Sequence, residues 1–347
     1  MTVIQLPSHW QLAPSGLQEL WHRSLSPRPL AFGIATFWAI LAGAFFNTHD
    51  AVTYLAAGER LNAGHALYSL SAGDRPIPLD PPYWDVPLLS PPLVAVAFRL
   101  LAILPAELGM WLWWAAGAAC VYATVIYLVR DRTDLVLLAP CSIGLGFALI
   151  SGNVANFLLV GYVLVWRYRD RPWIGALIGL MAIAKLFPIV FAGFLLARRD
   201  ARQVAWLAVG LIPAAAISLV GAGLDAHVAY LGVLERSAPQ FASLAYLTGV
   251  REISVVLFVA GIAIAARLRE RWSYAACLLT LVFAAPTLAW AQLVALLPLL
   301  MLTWPDAGLH KRPSFRIGPR PAMDPARPPT ADHSPHPEPA RAIETAL

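Results

Sequence analysis

Residues 167–199 read RYRDRPWIGALIGLMAIAKLFPIVFAGFLLARR, and this stretch decides the fold. An apolar run lies between Arg167, Arg169 and Arg171 on one side and Arg198, Arg199 and Arg202 on the other. Arg clusters beside apolar segments mark cytoplasmic loops. Both ends of residues 172–196 then lie on one side of a membrane. The run must fold back as a hairpin of two short helices, turning near Lys185 and the helix-breaking Pro188. Lys185 sits mid-run, where an ionisable group costs at least a few kcal/mol. Two readings stand for it: a side chain that snorkels to an interface, or a cation at a hairpin tip suited to a lipid phosphate or pyrophosphate.

The rest of the chain agrees with a membrane setting. Its 347 residues are 59% hydrophobic and only 13% charged, with mean hydropathy +0.64. Soluble domains carry about a quarter charged residues. A soluble enzyme, a coiled coil and a disordered protein are excluded; an all-α polytopic membrane protein remains. The net charge of +5 sits in short clusters between apolar segments, as cytoplasmic loops do, so no nucleic-acid partner is expected. Among 25 basic residues only Lys185 and Lys311 are lysines, an Arg bias that suggests a high-GC bacterium and hence its plasma membrane. Cys120, Cys141 and Cys277 lie in apolar segments without metal-ligand spacing and read as small core residues.

Apolar segments occur at 30–46, 91–104, 108–129, 135–150, 154–166, 172–184, 185–196, 203–221, 251–267, 274–284 and 288–303. Several fall short of the roughly 17–25 residues that span a bilayer. Short, interrupted helices are tolerated where backbone is buried or lines a cavity, so the bundle is expected to enclose one. Residues 1–29 read as a cytoplasmic N-terminal segment before an uncleaved first span. Residues 30–304 form the membrane domain, with non-cytoplasmic loops at 47–90 and 222–250. Residues 305–347, rich in Pro and Arg, read as a disordered cytoplasmic tail. The 135–166 region should be a second hairpin, turning at Gly152-Asn153. Arg267, Arg269 and Arg271 mark a further cytoplasmic loop. Counting every segment as a span puts Arg130-Asp131-Arg132 outside, against the charge rule, with Asp131 and Asp134 offsetting that pair.

The first outer loop opens Asn47-Thr48-His49-Asp50 and continues AVTYLAAGERLNAGHALY. Val52, Leu55, Ala56 and Leu61 share one helical face, and Gly64 stands where a helix C-cap wants positive φ. This predicts a short juxtamembrane amphipathic helix on the outer surface. Asp50 reads either as a cap for the orphan amides at its N-terminus or as a general base that takes a proton from an attacking sugar hydroxyl. Tyr83 and Trp84, in PPYWDVPLLSPPL, read as interface anchors or as stacking faces for sugar rings. Arg99 either assists phosphate binding or marks the end of its short helix. Asn153 and Asn156 place two amides at the 135–166 hairpin tip. His227, Arg251 and Glu252 border the second outer loop.

These residues together resemble the polyprenol-phosphate-mannose-dependent mannosyltransferases of glycosyltransferase family 87. The likeness rests on Asp50 after the first span and Tyr54, Gly64 and Tyr68 in the following helix. Further matches are Pro91-Pro92-Leu93, the Gly152-Asn153-x-x-Asn156 turn, and Lys185-x-x-Pro188 followed by Arg198-Arg199. They run from about residue 45 to 300. The resemblance implies a GT-C-like bundle of about 10–12 transmembrane or re-entrant helices that uses a lipid-linked donor from the non-cytoplasmic side. It implies Asp50 as catalytic base and Lys185 as a donor-phosphate ligand. Gln292 stands near the position where the family often carries His; it can hydrogen-bond but not carry charge.

The expected activity is hexosyl transfer, with mannose as the sugar, from a polyprenyl-phosphate donor to a glycolipid or cell-envelope glycan, with inversion. Asp50 would act as base, and Lys185 with Arg99 would hold the donor phosphate. His49, Tyr54, Tyr83, Trp84, Asn153 and Gln292 are the candidate substrate contacts. No Asp-x-Asp stands in the outer loop, so neither metal nor cofactor is expected. The rival readings are a transporter or flippase of an amphipathic or lipid-linked substrate, and an inactive GT-C relative.

Overall fold

The computed structural model describes residues 27–44, 49–69, 88–130, 132–236, 243–285 and 290–303. The expectations for residues 1–26, for Tyr83, Trp84 and the rest of 70–87, and for the tail lie outside these; of His49 only the backbone is described. The described residues are all-helical. The helices are α1 (Pro27–Ala44), α2 (His49–Asn62), α3 (Pro92–Leu101), α4 (Ala106–Leu128), α5 (Arg132–Ser151), α6 (Ala155–Arg167), α7 (Ile174–Ala184), α8 (Phe191–Arg198), α9 (Ala201–Arg236), α10 (Leu244–Thr248), α11 (Ile253–Ala265) and α12 (Glu270–Phe283). A 3-10 turn at Phe187–Val190 precedes α8, and a longer 3-10 segment covers Trp290–Leu302.

Two helices, α4 and Ala201–Glu235 of α9, are long and apolar enough to cross a bilayer, and shorter apolar helices accompany them. On α9, Trp206, Ile212, Ile217 and Val220 face outward, Val220 at 88% exposure. Such a surface has no place in water but suits lipid, and the chain is a membrane protein. In lipid the apolar surface supplies little force between helices; close packing does so instead. Gly179 on α7 shows this: a Cβ there would lie 2.5 Å from the Leu207 carbonyl oxygen, so α7 and α9 touch backbone to backbone.

The bundle has two chemically different ends. At one end the α5–α6 hairpin turns at Gly152-Asn153 and the α7–α8 hairpin breaks at Lys185. At the other lie Arg169, Arg198 and Glu270, in contact with one another. Helix α4 starts at the first end, because Trp113 Nε1 donates to the Gly152 carbonyl at 2.7 Å. With about 1.5 Å of rise per residue, the 23 residues of α4 and the 20 of α5 each cover roughly 30 Å or more. Arg130 and the start of α5 therefore lie at the Arg169/Arg198 end.

Helix α3 accounts for this. The 91–104 segment does not run from one end to the other but lies along α2. Tyr68 Oη donates to the Ser90 carbonyl at 2.8 Å just before α3. Near its far end Arg99 Nε donates to Asn62 Oδ1 at 2.9 Å. Counting it as a crossing is what separated Arg130 from the Arg169/Arg198 end.

Helix α2 also departs from expectation. Its C-terminus has the expected cap, with Gly64 at φ +73° and the His65 amide donating to the Arg60 carbonyl at 2.9 Å. It is not a surface helix, however. Consecutive residues from Thr53 to Gly58 are buried, as is Arg60. The small side chains of Ala51, Ala56 and Ala57 allow neighbours to close around it, so the covered surface extends well beyond the apolar stripe.

Candidate active site

Asp50 lies in the first turn of α2. Its Oδ2 accepts from Asn153 Nδ2 at 2.7 Å, across 103 positions of sequence. The carboxylate is thus turned to the α5–α6 hairpin tip. Asn153 is tied twice more: its Oδ1 accepts from the Ala155 amide at 2.8 Å and from Lys185 Nζ at 3.4 Å. One amide therefore caps α6 and joins a carboxylate to an ammonium. Asn156 plays a structural part, buried with Nδ2 donating to the Ala148 carbonyl at 3.0 Å.

The local sequence explains why these groups meet. Gly152 adopts φ +64°, which non-glycine residues rarely take. A Cβ there would stand 2.7 Å from Ala51 Cβ, so the tip can press against α2 beside Asp50 only without a side chain. Lys185 is the residue at which α7 stops, with extended backbone (φ −152°, ψ 121°). Pro188 follows in the 3-10 turn, where its missing N–H is least costly.

Beneath Asp50, Trp113 packs against Phe98, Phe157 and Tyr54, with ring centroids 4.6, 4.3 and 6.3 Å away. Tyr54 is buried in this cluster, and Ser90 Oγ donates to its Oη at 3.4 Å. Burial, with the Asp50 charge adding to it, pushes the Tyr54 phenol well above its ordinary range, so it remains neutral. Tyr54 belongs to the aromatic core beside Asp50.

From Lys185 a small cleft of about 20 Å³ lies between α6, α12 and the 3-10 segments. Leu158, Tyr162, Phe187 and Leu281 line it, with Lys185 and Gln292 supplying polar groups. A mostly apolar cleft with few convergent polar groups is the usual form of a small-molecule or lipid site. Gln292 faces the same space as Lys185.

Arg99 is not brought to this group. Its Nη1 donates to the Gly221 carbonyl at 3.1 Å and its Nε to Asn62, at the opposite end of α2 from Asp50. It caps the carbonyl end of α9's first part, just before Gly223 interrupts the helix at φ 81°, ψ 162°. His227 turns to the Gly223 carbonyl (2.8 Å) and Ser218 (3.0 Å), and Arg251 donates to the Leu234 carbonyl. Trp113, Tyr162 and Phe187 went unmarked in the sequence reading. Each sits in an apolar run where nothing separates a wall residue from core.

A carboxylate and a lysine amine are thus held one amide apart at one end of a helical membrane bundle, with a small, mostly apolar cleft beside the lysine. Residues 89–305, more than half of the chain, match the family model of glycosyltransferase family 87. The chain belongs to that family and is a glycosyltransferase. The matched stretch contains Arg99, Asn153, Lys185 and Gln292, while Asp50 precedes it. No curated protein and no solved structure gives a significant match.

Proposed function

We propose that this membrane glycosyltransferase moves a hexose, mannose, from a polyprenyl-phosphate donor to a glycolipid or cell-envelope glycan. The observation that carries the reading is Asp50 and Lys185 held one amide apart, with Lys185 also lining the apolar cleft. The prenyl chain enters from lipid along the cleft, and its phosphate meets Lys185 and Gln292. The acceptor hydroxyl approaches from the Asp50 side. Its oxygen attacks the anomeric carbon from the face opposite the phosphate, the carbon–phosphate-oxygen bond breaks, and the configuration inverts. The hydroxyl proton passes to Asp50 through Oδ1, the oxygen not engaged by Asn153. Lys185 balances the charge that grows on the departing polyprenyl phosphate. His49, Tyr83 and Trp84 supply the acceptor side, while Arg99 secures α2 against α3 and α9.

In this reading the bundle is GT-C-like and the Asp50 end faces outward from a bacterial plasma membrane. The Arg clusters at 167–171, 198–202 and 267–271, joined by Arg130 and Arg132, face the cytoplasm in keeping with the positive-inside rule. Residues 30–304 are the catalytic membrane domain, and residues 305–347 a cytoplasmic tail. The test is transfer of labelled mannose from polyprenyl-phosphate-mannose to membrane glycolipids. Wild type should transfer and Asp50→Asn should not, while both bind the donor. A wild type that neither binds nor transfers would overturn the reading; transfer undiminished in Asp50→Asn would remove Asp50 as base.

A further inference from the structure

We infer that Asn153 is a positioning residue, an amide spacer that keeps Asp50 and Lys185 in one site while preventing them from closing into an ion pair. The inference rests on the reading of Asp50 as base and Lys185 as phosphate ligand. The orientation of the amide follows from its partners. The Ala155 N–H and the Lys185 ammonium can only donate, and the Asp50 carboxylate can only accept. The oxygen of Asn153 must face the first two and its nitrogen the third, as the three bonds have it. Among the described residues, Asp170 and Glu270 pair with Arg169 and Arg198 at the other end of the bundle, whereas no ion pair joins Lys185 to Asp50.

That separation needs a cause. Opposite charges this near one another, in a medium poorer than water, attract more strongly than they would in water. A flexible lysine has the reach to close the gap. What stands between is a neutral side chain that satisfies each charge from a different end. It cannot slide away, because Gly152 is wedged against Ala51 and its carbonyl is held by Trp113. A directly paired carboxylate is a poor proton acceptor, and a directly paired ammonium no longer draws a phosphate. The spacer leaves both groups available, Asp50 to an acceptor hydroxyl and Lys185 to an anionic lipid.

Lysine composition offers a readout free of any sugar donor. In a Lys311→Arg chain, Lys185 is the sole lysine. Its rate of acylation by N-acetoxysuccinimide, followed by mass spectrometry on the purified full-length protein, reports how much free amine it presents. Asn153→Ala and Asn153→Ser should slow labelling at Lys185 about tenfold, as the ammonium closes onto Asp50 and holds its proton. Adding Asp50→Asn to either should return the rate to within about twofold of the parent. Loss of fold moves the signal the other way, by exposing the amine. Labelling that is unchanged in both Asn153 variants, or faster in variants that keep the parent's melting transition, overturns the spacer, as does a slowing that Asp50→Asn fails to relieve. If labelling follows the expected pattern while wild type transfers no mannose, the transferase reading fails and the spacer stands; the converse result separates them the other way.

Discussion

The two ends of the bundle hold the same kinds of charge and use them differently. At the Arg169 end the charges touch. Arg198 Nη2 lies 2.6 Å from Asp170 Oδ1, Arg169 Nε lies 3.0 Å from Glu270 Oε1, and Arg198 also pairs with Glu270. Gln203 joins through the Arg169 carbonyl. These contacts fasten α8, α12 and the 167–171 turn together, and the charges cancel within the protein. At the Asp50 end the carboxylate and the ammonium are held one amide apart. Closed pairs serve structure; in the proposed reading a pair held open keeps each charge for a ligand. The ends differ in what stands between the charges.

The sharpest way to break the contrast is Asp50→Asn. A positioned general base contributes about 10²–10⁴ in rate, so transfer of labelled mannose should fall about 10³-fold with donor binding kept. Lys185→Met comes next. Loss of a charge-assisted contact to phosphate is worth about 1.5–3 kcal/mol, and KM for the donor should rise about 30-fold. Gly152→Ala tests the wedge behind Asn153. The strained φ and the clash with Ala51 should cost about 2 kcal/mol of stability and about tenfold in transfer, read by thermal melting and turnover.

Glu270→Gln tests the closed end. Glu270 is 41% exposed, which weakens its pairs through solvent screening, so the melting transition should fall by about 1 kcal/mol while kcat/KM stays within about twofold. Tyr54→Phe should do least. Its phenol, raised by burial and the Asp50 charge, keeps its proton throughout the working range. The substitution removes no titrating group, and the pH profile of transfer between about pH 6 and 9 should keep its shape. A displaced alkaline limb would bring Tyr54 into the chemistry.

Legibility in the sequence followed the kind of signal. Composition and Arg clusters carried the helical membrane character and both hairpins, because solvation by lipid constrains every residue in a segment. The tips were visible because Gly152, Lys185 and Pro188 are each costly inside an apolar helix. The path of 91–104 was not visible, since a ten-residue apolar helix looks alike whether it crosses the bilayer or lies along α2. The burial of α2 was hidden for a similar reason: its own pattern shows one apolar stripe, and the neighbours that cover the rest come from distant sequence.

By itself, then, the sequence determined which residues are charged in an apolar setting and where the chain must turn, because both depend on local composition. Only the tertiary structure decided that Asp50, Asn153 and Lys185 share one site and that Arg99 does not. It alone placed Arg130 with the other arginine clusters. Those outcomes depend on hydrogen bonds between residues up to 103 positions apart and on the close approach of Gly152 to Ala51. No window of sequence contains both partners of such a contact.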